Sequence, residues 1–150
     1  MRKKSMGLVR LCIVVLSIVL LASCSILNNE KLDEKTSSMI NAFISKNAEE
    51  TKAQTHPDYV DSINNLNKLF EAMANDGIIL DGNLSKLVPT SRSYSAFDSE
   101  FDGKTTYSIY DATIGDMEYV IKVRTLENDN GYGIINFDIG LTNKFSSSSE

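Results

Sequence analysis

MEYVIKVRTL, residues 117–126, alternates along its length. Met117, Tyr119, Ile121, Val123 and Thr125 fall on one side of an extended chain, and Glu118, Lys122 and Arg124 fall on the other. A period of two with one apolar face is the pattern of a strand that gives one face to a core and the other to water. The stretches around it agree. Ser91 to Asp98, Thr105 to Thr113 and Tyr132 to Leu141 are rich in Tyr, Ile, Val and Thr, residues that suit a pleated, half-buried surface. Gly115-Asp116 and Asn128-Asp-Asn-Gly131 separate the last three runs, and connections this short join antiparallel neighbours. Ile78-Ile79-Leu80, before the turn pair Asp81-Gly82, is expected to add a further short strand.

Upstream the rhythm is helical. Met39, Ile40, Phe43 and Ile44 form one group at helical spacing, and Val60, Ile63, Leu66, Leu69, Phe70 and Met73 form another. Between them Asn47-Ala-Glu-Glu50 has the form of an N-cap with a reciprocating Glu, predicting a short middle helix that runs to about Gln54. His56-Pro57 breaks it, because the residue before proline avoids helical angles. Asp58 or Asp61 is the expected cap of the third helix, and Asn75-Asp-Gly77 its end. Helices followed by an antiparallel meander, with no βαβ alternation, predict an α+β domain with its N-terminal helices packed on one face of a curved antiparallel sheet.

The N-terminal end reads as an address. Arg2, Lys3, Lys4 and Arg10 precede the apolar run Leu11 to Ala22, which is too short for a membrane span of about 20 residues and fits the plan of a secretory signal. Leu21-Ala22-Ser23-Cys24 resembles the lipobox of bacterial lipoproteins. That resemblance implies cleavage before Cys24, a diacylglycerol on its sulfur and acylation of the new amino terminus. Two or more chains make a stable anchor, since each buried methylene contributes about 0.8 kcal/mol.

The expected organisation is therefore a signal peptide over 1–23, a lipidated cysteine and polar tether over 24–35, a domain over 36–144, and a polar tail over 145–150. The protein is expected to be exported and lipid-anchored, on the outer face of the plasma membrane or on the outer membrane of a two-membrane host.

Cleavage removes four basic residues and no acidic ones, taking the formal charge from −5 to −9. Such a surface repels phosphates, so a nucleic-acid partner is not expected. The exported part keeps no thiol besides Cys24, which excludes an internal disulfide, a cysteine-ligated zinc site and a cysteine nucleophile.

The stretch MINAFISKNAEETKAQTHPDYV, residues 39–60, resembles the opening of NTF2-like domains of the cystatin-like superfamily, and YVIKVRTLENDNGYGIINFDIG, residues 119–140, is similar to their closing hairpin. The likeness spans residues 36 to 142 and lies in element order and texture. It departs from the pattern where many members carry a tryptophan in the last hairpin: this chain has none, and Tyr132 or Gly133 stands near that place. The resemblance implies a cone whose open end holds a ligand in some members and an acid/base pair in others.

For enzymatic use, of the isomerase or dehydratase type on a small apolar substrate, such a cone needs a carboxylate or histidine base in an apolar pocket with a tyrosine or acid beside it. His56, the only histidine, is the single candidate for a catalytic role, set against a plain place at a helix end beside Pro57. Asp58, Tyr59, Tyr107, Tyr110 and Tyr119 are its possible neighbours. Glu49-Glu50 and Asp98, Glu100 and Asp102 lack the register of a calcium loop, and no glycine-rich phosphate loop is present, so no metal or cofactor is expected. The reading favours a module that binds a small molecule or a cell-envelope partner, with the NTF2-like enzyme as the alternative.

Overall fold

The structure, a computed structural model, describes residues 29–63 and 66–142. The signal segment, Cys24 and the C-terminal tail lie outside them. Among the described residues no helix is long and apolar enough to cross a membrane.

The chain divides into two units between Glu34 and Lys35. Of the first, residues 29–34 are described, and they are helical. Glu30, Lys31, Leu32 and Glu34 there are all good helix formers.

The second unit opens with helix α1, residues 35–44. Thr36, Met39, Ile40 and Phe43 are buried along one stripe of it, as a helical period requires. Helix α2, Ala48–Gln54, begins on Asn47, whose side chain accepts from the Glu50 N–H. The expected reciprocal bond is not made, because the Glu50 carboxylate accepts from Gln54 instead and the Asn47 N–H donates to Ala42.

Pro57–Ser62 form a 3-10 helix, and helix α3, Leu66–Asn75, follows. Asp58 and Asp61, the expected caps of α3, lie inside the 3-10 helix, which His56 caps and Pro57 begins with the φ that proline fixes.

Four strands complete the unit: β1 (Leu84–Asp98), β2 (Gly103–Ile114), β3 (Met117–Asn128) and β4 (Gly131–Leu141). They pair antiparallel in the order β1-β2-β3-β4, giving the α+β class with an open sheet. Three irregularities between β1 and β2 and one between β3 and β4 curve it, since an extra residue bends a strand. Tyr119, Ile121, Val123 and Thr125 of β3 are buried, together with Ser108, Tyr110 and Ala112 of β2 opposite them. Each fully buried aliphatic side chain contributes roughly 1.5–3 kcal/mol.

Two expectations are corrected at the start of the sheet. Ile78-Ile79-Leu80 is not a strand. It is held as a flap by the Ile78 N–H donating to Met73 and by the Tyr119 hydroxyl donating to Ile79. β1 starts at Leu84 rather than Ser91, because an edge strand tolerates Pro89 at a bulge.

The helical layer is fastened to the far hairpin at residues 55–56. Thr55 bridges Ile134, and the His56 N–H donates to the Ile134 carbonyl at 2.9 Å. This closeness explains Gly133: a Cβ there would lie 2.3 Å from the His56 nitrogen.

Candidate functional site

His56 is fully buried. Its Nδ1 accepts from the Asp58 N–H at 3.2 Å, so in the neutral ring Nε2 carries the proton. Nε2 then donates to Asn128 Oδ1 at 3.0 Å and to the Gly131 carbonyl at 3.2 Å. Both nitrogens are taken up in joining the 3-10 helix to the β3–β4 turn.

Asp58 completes the cluster, accepting from Asn128 Nδ2 at 3.1 Å and from Asn130 Nδ2 at 2.9 Å. The Asn128 amide, then the Asn130 amide, hold its carboxyl below the usual carboxylate value; desolvation opposes them, and the His56 ring lowers it least. If the ring were protonated, Nδ1 and the Asp58 carboxylate would form an ion pair across 3.6 Å.

The tyrosines do not converge on this cluster. Tyr59 packs edge-on to His56, with ring centroids 6.1 Å apart. Tyr110 and Tyr119 are buried in the core. Tyr107 lies three residues from Tyr110 and so on the other face of β2, where the Arg124 guanidinium sits 6.0 Å from its ring.

The acids read for calcium are used locally. Glu49 pairs with Lys52, while Asp98 accepts from the Glu100 N–H and the Thr105 hydroxyl within the β1–β2 turn. Among the described residues no group of three ligating side chains could hold a metal ion.

An open hollow of about 630 Å³ with polar and charged walls lies beside the cluster, against Asn128, Asn130, Glu127 and Asp102. Apolar concave space lies elsewhere, on either side of Phe43. Its ring meets Phe70 edge-on at 5.4 Å and leans on Phe137 at 4.9 Å. Toward α2 and β4 is a cavity of about 150 Å³, walled by Met39, Leu66 and Ile134 with Thr51 and Tyr59. On the other side a cavity of about 320 Å³ lies between α1, α3 and the 78–81 flap, walled by Phe70, Met73, Ile78 and Leu80. Lys46 and Asp81, both exposed, belong to its wall as well. A space of this size and lining suits a small apolar molecule.

The flap is tied down at both ends. The Tyr119 hydroxyl holds the Ile79 carbonyl at 2.9 Å, and Asp81–Asn83 cross the β2–β3 turn. Gly115 in that turn has φ +58, and a Cβ on it would fall 2.4 Å from the Asp81 carbonyl oxygen. The sequence reading did not find this site. Its one available signal was Lys46, a lysine at the position after a helix end where glycine is usual.

No family model matches this chain, and no curated protein or solved structure matches it.

Proposed function

We propose that the chain is an exported lipoprotein, anchored through acyl chains on Cys24, whose NTF2-like cone binds a small apolar molecule beside Phe43. It acts on the outer face of the plasma membrane, or at the outer membrane of a two-membrane host.

The observation that carries the binding half is the composition of the cavity walls. Aromatic and aliphatic side chains dominate both spaces, and among the described residues Asp81 is the single carboxylate on either wall. Asp81 is exposed to water, whereas a general base of the isomerase type needs an apolar setting. His56 lines neither cavity, and its nitrogens are engaged. The walls of these two spaces support binding over proton transfer.

The anchoring half rests on the basic start, the short apolar run and Leu21-Ala22-Ser23-Cys24. The acidic balance of the exported part fits a domain held off anionic headgroups by its tether.

The mature protein released from host membranes is expected to begin at Cys24 and to weigh more than its polypeptide by its acyl chains, with a further non-covalent mass of small-molecule size in a native spectrum. An unacylated chain would remove the anchor from this reading, and a bare folded mass would remove the ligand.

A further inference from the structure

Helix α1 ends in a Schellman motif: the Asn47 N–H donates to Ala42 and the Lys46 N–H to Phe43. The residue between helix and return bond is Lys46, at φ +52. Glycine takes this conformation without strain, and a side chain there carries a cost in stability. Local rules of this kind are broken at functional or strained sites. The Lys46 ammonium makes no hydrogen bond or ion pair with any described residue, and Lys46 borders both the 320 Å³ cavity and a second hollow on the outer side of Phe70. On the same cavity wall stands Asp81, whose carboxylate is not paired with Lys46. The apolar space is thus bordered by one positive and one negative residue, with Glu71 beside Lys46 on the outer hollow.

We infer that the ligand of this cavity is an apolar zwitterion: its hydrocarbon part lies against Phe43, Phe70, Met73 and Ile78, its anionic group meets Lys46 and its cationic group meets Asp81. This deepens the proposed binding function and rests on it. An anion alone would meet Lys46 but be repelled by Asp81, and a cation alone would face the reverse. A ligand bearing both charges can meet both groups, and the apolar wall supplies affinity without choosing between them. Free apolar amino acids and single-chain phospholipids with an ethanolamine head share this chemistry.

The test uses the full membrane-derived protein in nanodiscs, with calorimetric titration at pH 7 against four probes that share a short carbon chain: norleucine, hexanoate, hexylamine and 1-hexanol. Norleucine is expected to bind at least tenfold tighter than the other three. Lys46→Met should erase its advantage over hexylamine, and Asp81→Asn its advantage over hexanoate. Competition by lysophosphatidylethanolamine would assign the site to a lipid head, and persistence of norleucine in its presence would assign it to a free amino acid. Equal binding of norleucine and 1-hexanol would overturn the zwitterion and leave the apolar site standing; no binding by any of the four would overturn the site itself.

Discussion

The hydroxyl of Tyr119, on β3, donates to the carbonyl of Ile79, 2.9 Å away and forty residues earlier in the chain. The tyrosine is otherwise buried in the core, and its bond fixes the flap that walls the 320 Å³ cavity. Core and candidate site are therefore coupled through one hydrogen bond.

Tyr119→Phe leaves the Ile79 carbonyl without this donor and should cost about 1–2 kcal/mol in urea unfolding. The same variant should weaken ligand capture by loosening the flap. Burial also pushes the Tyr119 hydroxyl above its ordinary value of 10.0. The folded state then holds this proton more tightly than the unfolded chain, so stability is full below about pH 10 and falls as pH rises through the folded value. Tyr119→Phe should show a shallower alkaline loss than the parent; identical slopes above pH 10 would contradict this.

Asp58 predicts the opposite limb. Its carboxyl is held low chiefly by Asn128, then by Asn130, so its contribution is intact above about pH 3.8 and is lost as pH falls through the folded value. Asn130→Ala removes one donor and should flatten the acid limb of the stability curve, read by denaturation at successive pH values below 5. An unchanged limb would mean that the cluster does not hold the carboxylate.

Gly133→Ala places a Cβ against the backbone of His56, where no flexible side chain can yield. A loss of roughly 3 kcal/mol is expected, by the strain of overpacking and the parting of residues 55–56 from β4. A variant within 0.5 kcal/mol of the parent by urea titration, at the scale of a neutral surface change, would show that this approach is not needed.

Ser108 offers a gain. Its hydroxyl is fully buried and has no hydrogen-bond partner among the described residues. An unmatched buried polar group costs about 1–3 kcal/mol, so Ser108→Ala should raise stability by about 1 kcal/mol, seen as a higher urea midpoint at unchanged slope. A lower midpoint would mean that the hydroxyl is satisfied in solution.

What was legible in the sequence was what neighbours decide. Asn47 capping a helix that ends at Gln54 depends on a few adjacent residues, and so do the turns at Gly115-Asp116 and Asn128–Gly131. The alternation gave the buried face of β3 from Tyr119 to Thr125, because a period of two leaves only two choices, while Met117 at the strand's start is exposed. Ile78-Ile79-Leu80 misled for the same local reason: three β-favouring residues read as a strand, while their hydrogen bonds go to Met73 and Tyr119. The engagement of His56 depends on Asn128, 72 residues away, and the cavity needs α1, α3 and the flap together. Neither leaves a mark on any single stretch.

Ala74 is exposed on α3, yet it borders the 320 Å³ cavity and the hollow beside it, so a bulkier side chain there fills the space without entering the core. Native mass spectra of the membrane-derived parent and of Ala74→Trp, each incubated with host extract and repurified, test the binding account most directly. The account predicts a bound small-molecule mass on the parent that is absent from Ala74→Trp at equal fold and acylation. A bare parent, or the same bound mass on both proteins, would contradict it.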